Sequence, residues 1–277
     1  METAFITDCG RIRAHNEDSG GIFSNEAGLI LAIVADGMGG HRAGDVASTL
    51  ALDYIKQRWA EAGDLGSGEA AGQWLKDTIN DTNAHILAYA QEHPECRGMG
   101  TTIVSALCAN EFVTIAHVGD SRGYLFGNTG LSQVTKDHSL VSELVRRGEI
   151  SKEEADLHPR KHVLLQALGT EETVESEVKT IAWEAGDVVL LCSDGLTNNV
   201  SHEQLEDVLG SERKIQEKAE KLTEFANLAG GDDNITLTLV QLPKKDHYSL
   251  AEGDQESIGK TSEIGSEKTL STEERNG

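Results

Sequence analysis

The sequence predicts an α+β fold: two antiparallel sheets with helices packed on the outside. Two observations carry this. Short apolar runs follow one another through tight turns such as Asn128-Thr129-Gly130 and Glu184-Ala185-Gly186, as antiparallel meanders do. The helical patterns come in groups instead of alternating with single strands. Hydrophobic residues are 38% of the 277 and aromatics only 4%, so the core must be built from Leu, Ile, Val and Ala.

In chain order, residues 3–9 and 20–24 read as short strands around the polar loop GRIRAHNED, and 29–36 as a buried central strand. Val46, Leu50, Tyr54 and Ile55 recur at helical spacing within 43–62, and Trp74, Ile79, Ile86 and Leu87 do so within 69–92, which Pro94 ends. Strands follow at 101–109, 111–119, 121–127 and 131–135. Residues 140–148 form a short amphipathic helix, and the polar stretch 149–161 reads as a surface flap. Strands return at 176–183 and 187–194; Ser201 with Gln204 starts a helix as a capping box. A last helix covers 212–228, and a closing strand ends at Leu242. Trp59, Trp74 and Trp183 sit in these patterns as core residues.

The chemistry lies where the strands stop. The run Leu29–Val34 leads to Asp36, followed by Gly37, Gly39 and Gly40. VVLLCSDG repeats the arrangement with Asp194 and Gly195, and FVTIAHVGD with Gly119 and Asp120. GGDDNIT sets Asp232 and Asp233 before the last strand; Asp8 follows Phe5-Ile6-Thr7, and Glu17 and Asp18 close a polar loop. One Asp-Gly is an ordinary turn signal. Apolar strands bounded by acids five times over describe carboxylates gathered at one edge of a buried sheet. Glycines there let backbone carbonyls approach, and carboxylate plus carbonyl oxygen is what a hard cation needs.

Charge and composition narrow the classes. The formal net charge is −23; the stretch from Pro243 onward has eight acids against five bases, leaving −20 for the folded part. That surface repels nucleic acid and anionic membrane, so neither is an expected partner. Cys9, Cys96, Cys108 and Cys192 are scattered without a C-x-x-C pair, which argues for a reducing compartment and against a zinc site. The N-terminus has no basic n-region or long apolar core, and no run reaches the length of a membrane span, so a cytoplasmic location is expected. From Pro243, Ser, Thr, Glu, Gly and Lys dominate; we read a folded domain over 1–242 and a disordered polar tail over 243–277.

Three short signatures compete and fail. Gly119-Asp120-Ser121-Arg122-Gly123 matches the nucleophile elbow of serine hydrolases, but that motif needs strand, turn and helix, and here another strand follows. GDQESIGKT at 253–261 imitates a phosphate loop, with one residue too many between its glycines and no strand before it. GMGG at 37–40 is no dinucleotide fingerprint, since Arg42 stands where a third glycine belongs.

Taken together, TDCGRIRAHNED, VADGMGG, MGTT, VGDSRGYL, SDGL and GGDDNIT, in this order and spacing, resemble the metal-dependent type 2C serine/threonine protein phosphatases. The resemblance covers Thr3 to Leu242, and residues 137–169 are similar to the flap of the bacterial branch. It implies a four-layer α-β-β-α sandwich with metals in a cleft at one end, and a monomer. It also implies hydrolysis of phosphoserine and phosphothreonine on proteins by a hydroxide bridging two Mn²⁺ or Mg²⁺ ions, opposing a bacterial serine/threonine kinase.

Carried over by position, Asp36 is the carboxylate bridging two ions, and Gly37 offers its carbonyl to one of them. Asp194 and Asp233 complete the first ion's ligands, while Glu17 and Asp18 hold the waters of the ions. Asp120, with Asp194, matches a third, weaker site; Arg13 matches the arginine gripping phosphate; Asp8 and Asn234 stand just behind the ligands. Elementary chemistry agrees. A phosphomonoester dianion repels hydroxide, and two divalent ions both neutralise it and supply a nucleophile at neutral pH. All-oxygen ligation suits Mg²⁺ or Mn²⁺ better than zinc. One departure matters: some members carry a histidine after the Asp-Gly as general acid, and here that residue is Met38, which has no proton to give. His41 and His15 read as solvent-facing loop residues. A phosphatase-like module without turnover would lack one core acid, and none is missing.

Overall fold

Apolar residues that alternate along a strand must find two different partners, one per face. In the computed structural model, which describes residues 1–40, 43–63 and 65–244, strand β3 (Ile30–Met38) shows this directly. Leu31, Ile33 and Ala35 enter a core shared with helices α1 (Ala43–Ala60) and α2 (Gly68–Glu92). Ala32 and Val34 face the opposite way, into a core shared with the other sheet. Strand β10 (Val188–Cys192) divides likewise: Val189 and Leu191 meet that central core, while Val188, Leu190 and Cys192 face the C-terminal helices. Burial on both faces explains why these strands read as unbroken apolar runs.

The remaining strands complete two antiparallel sheets. The first has the order β1 (Glu2–Asp8), β11 (Ile235–Gln241), β10, β7 (Arg122–Gly127), β8 (Gly130–Gln133). The second has β2 (Asp18–Ser24), β3, β5 (Ile103–Cys108), β6 (Phe112–Val118), β9 (Glu177–Ala182), with the two-residue β4 (Gly100–Thr101) pairing onto the end of β3. Helices α1 and α2 cover the second sheet; α6 (His202–Gly210) and α7 (Ile215–Ala229) cover the first. This is the expected four-layer α-β-β-α sandwich.

Two elements depart from the sequence reading. The flap region 149–161 contains a short helix, α4 (Lys152–Asp156), begun by a reciprocal capping box between Ser151 and Glu154; it follows α3 (Leu140–Arg146). Residues read as the end of a strand at 193–194 turn at once into α5 (Asp194–Thr197). The Ser201–Gln204 capping box is present as expected. Trp59 and Trp183 are buried, and Trp74 packs at the margin of the helix-side core. Met1–Lys244 form one packed unit; the tail from residue 245, its phosphate-loop mimic and His41 lie outside the described residues. Among those described, no helix is long and apolar enough to cross a membrane.

Candidate active site

Five separate strand ends deliver acids to one cleft of about 430 Å³. Glu17, Asp36, Asp120, Asp194, Asp232 and Asp233 line it, together with Arg13, Gly37 and Asn234. Asp18 lies beneath, directly opposite Asp36 in the β2·β3 register. Its Oδ2 accepts from Ser193 Oγ at 2.8 Å, and Ser193 Oγ in turn accepts from Thr236 N–H, tying the second sheet's acid to the first sheet.

Asp36 is held from behind. Its N–H donates to Thr102 Oγ1 at 3.0 Å, and its carbonyl accepts from Thr101 Oγ1 and from Thr102 N–H. Gly37 is glycine for lack of room: a Cβ would overlap the Gly44 carbonyl in the first turn of α1 and the Glu17 carbonyl. Asp194 opens α5, where Asn198 Nδ2 donates to its Oδ2 at 3.1 Å. Asp233 precedes β11; its Oδ2 accepts from Arg13 Nη2 at 2.8 Å. Asn234 fastens the N-terminal loop: Nδ2 donates to the Cys9 and His15 carbonyls, and Oδ1 accepts from Glu17 N–H.

So many carboxylates in one place resist ionising together. Burial, reinforced by Asp18, Asp194, Asp120 and Asp233, holds Asp36 well above the usual carboxylate range. Burial pushes Asp18 up to about 7, against the hydrogen bonds from Ser193 and Thr236. Asp120 is also raised to about 7, by burial and then by Asp194. Asp194 is raised by burial and by Asp233, and Glu17 by burial, opposed by Arg13.

Comparison with known proteins decides what this site belongs to. A family model described as Protein phosphatase 2C matches residues 9–230. The chain belongs to the protein phosphatase 2C family. The serine/threonine phosphatase stp of Listeria monocytogenes is 51% identical over 241 residues, covering 87% of this chain and 96% of the relative. The solved structure of serine/threonine phosphatase Stp1 from Staphylococcus aureus superposes with a TM-score of 0.82 at 39% identity, covering 87% of this chain and 94% of that one. The catalytic domain of PstP, solved in complex with two manganese ions, gives 0.76 at 35% identity over 88% and 98%.

A protein phosphatase 2C is a metal-dependent phosphoprotein phosphatase, and the donor set here fits that dependence. Six carboxylates face one guanidinium across the cleft lining, the donors brought in by the strand ends are oxygens, and the burial and crowding that raise the proton affinity of Glu17, Asp36, Asp120 and Asp194 are what a hard dication relieves. The acids do not close into a tight trio; among the described residues the trio of metal-ligating groups within 4.8 Å of one another is elsewhere, at His117, His138 and Glu177.

Most of the residues singled out from sequence meet at this cleft, and Asp8 does not. Its Oδ1 turns back to accept from Gly10 N–H at 2.8 Å and from Asn227 Nδ2, so it braces the loop's base rather than the lining. Ser121, the rival nucleophile, is 1% exposed, bonded to Thr102 Oγ1 at 2.7 Å, and followed by β7. A serine so placed is a strut for Thr102. Sequence reasoning missed Thr101, Thr102 and Ser193, hydroxyl residues inside or beside apolar strands, whose role shows only once strand register is known. It also missed His162 and Leu164, by which the flap reaches the cleft. The bridge between Ser139 and Leu164 brings that segment in.

Proposed function

We propose that this chain removes phosphate from phosphoserine and phosphothreonine in proteins, with Mn²⁺ or Mg²⁺ held by Asp36, Asp194, Asp233 and the Gly37 carbonyl. Glu17 and Asp18 serve the ions through water, and Asp120 with Asp194 offers a third, weaker position. When bound, the ions supply charge neutralisation for the phosphoryl oxygens and activation of a water. The chain's own residues then do the positioning. Thr101 and Thr102 fix Asp36, Ser193 fixes Asp18, and Asn234 fixes the loop that presents Arg13 and Glu17. Arg13 grips the phosphate through a bidentate guanidinium. Met38, at the cleft wall, has no proton to give the departing alkoxide, and we assign that part to no side chain.

The observation that carries this reading is the convergence of acids from five strand ends on one cleft with Arg13 at its lip. A cytoplasmic monomer opposing a serine/threonine kinase, with residues 1–242 as the catalytic domain and 243–277 as an appended tail, completes the proposal. The test is a phosphopeptide panel assayed with Mn²⁺ and again with chelator. Chelator-sensitive release from phosphoserine and phosphothreonine, and not from phosphotyrosine, is expected. Release that persists with chelator, or that Asp194→Ala leaves intact, would overturn it.

A further inference from the structure

The tightest cluster of metal-ligating groups among the described residues lies outside the acidic cleft. His117 sits in β6, three residues before Asp120, and is paired in register with Glu177 of β9. His138 follows β8 and is latched to Gly119: its N–H donates to the Gly119 carbonyl at 2.9 Å, and its Nδ1 accepts from Gly119 N–H at 3.3 Å. The two imidazoles stack with centroids 4.7 Å apart.

Lys136 occupies one side of the His117 ring: Nε2 lies 2.8 Å from its carbonyl and 3.3 Å from its N–H. The shorter contact favours the tautomer in which Nε2 donates to the carbonyl and Nδ1 keeps a lone pair. A ring N–H donated to a backbone carbonyl is the usual support of a metal-bound histidine. His138 Nε2 faces Glu177 Oε1 at 3.8 Å. Burial, then His117, pushes His138 below the usual imidazole range, so it stays neutral, as a ligand must. The Glu177 side chain is 53% exposed, free to close on an ion while leaving a side open to water.

We propose that His117, His138 and Glu177 form a second metal site, of two nitrogens and one carboxylate, that takes Zn²⁺ in preference to the hard cations of the acidic cleft. Two imidazoles with a carboxylate and an open fourth position suit zinc. Binding has a structural consequence. A neutral imidazole bound through Nε2 carries its proton on Nδ1, so Gly119 N–H loses its acceptor beside Asp120. The backbone there is already special, with Gly119 at φ +105°.

The experiment is zinc titration of the full chain in saturating Mg²⁺, followed by imidazole and amide ¹⁵N NMR. Zinc entering the acidic cleft ligates neither ring, so the large ¹⁵N change of a directly ligated ring nitrogen isolates the proposed site. One equivalent should shift the His117 and His138 ring nitrogens together with the Gly119 amide. Glu177→Gln, a surface change, should weaken that event by about tenfold or more, in keeping with the effect of disturbing a metal's surroundings. Rings that do not move, or an unchanged affinity in Glu177→Gln, would overturn the site.

Discussion

Arg13 Nη2 donates to Asp233 Oδ2 at 2.8 Å, so the guanidinium at the cleft's lip is paired with an acid the metal chemistry is assigned to use. Both side chains are substantially exposed, at 48% and 33%, and the pair is loose enough to exchange. A phosphate dianion offers the same guanidinium a better partner, because two parallel charge-assisted bonds replace one such bond and a long Nε contact to the Asp232 carbonyl at 3.4 Å.

Arg13→Ala should therefore raise KM for a phosphate ester by about tenfold to a hundredfold, the worth of a charged hydrogen bond, while kcat falls less. Steady-state kinetics on a phosphopeptide decide it. An unchanged KM would remove Arg13 from the substrate's path.

Asp36→Asn and Asp194→Ala should each lower turnover by at least about a hundredfold, since each removes a proposed ligand of ions that would supply several kcal/mol of charge stabilisation. Neither should unfold the protein. Both delete a carboxylate from a crowded cluster, so the metal-free variants should melt at or above the metal-free parent. Thermal melts in chelator, beside turnover of a generic phosphomonoester, test both halves. A collapsed fold would make the loss of activity uninformative and contradict the electrostatic account.

Asn234 is 4% exposed and satisfies the Cys9 and His15 carbonyls and the Glu17 N–H at 3.0, 3.0 and 2.8 Å. Asn234→Ala strands all three groups, which should cost about 2–4 kcal/mol. Asn234→Asp keeps the acceptor but turns an anion toward two carbonyls, so it should be no better. In both, hydrogen exchange over residues 9–17 should quicken and KM should rise as in Arg13→Ala. Unchanged exchange there would show that the loop is held some other way.

These residues also show what a sequence discloses. Strands buried on both faces announce themselves as apolar runs, and their ends locate Asp36, Asp120, Asp194 and Asp233 without any three-dimensional information. Asp8 obeys the same rule and still misses the cleft, because its carboxylate is captured two residues on by Gly10 N–H, a local choice that strand patterning does not register. Thr102, Ser121 and Ser193 read as neutral hydroxyls within or beside strands; only register sets them against Asp36 and Asp18. Helix α5, four residues long, is too short for periodicity to appear, yet it orients Asp194.

The crowded carboxylates make a prediction about pH. Asp18 and Asp120 titrate at about 7 in the metal-free fold, against an ordinary value of 3.8. Between those values the folded chain binds protons that the unfolded chain has released, so stability falls as pH rises through this window. Below about pH 4 both forms are protonated and these two groups contribute no penalty. The chelated protein should accordingly melt at a lower temperature at pH 8 than at pH 5.5. Mn²⁺ or Mg²⁺ at pH 8 should restore the difference by binding the folded form alone. The same melts on Asp18→Asn should show a shallower pH dependence in chelator, since one of the raised acids is gone. Equal melting temperatures at both pH values without metal would mean that the acids are not crowded as the fold places them.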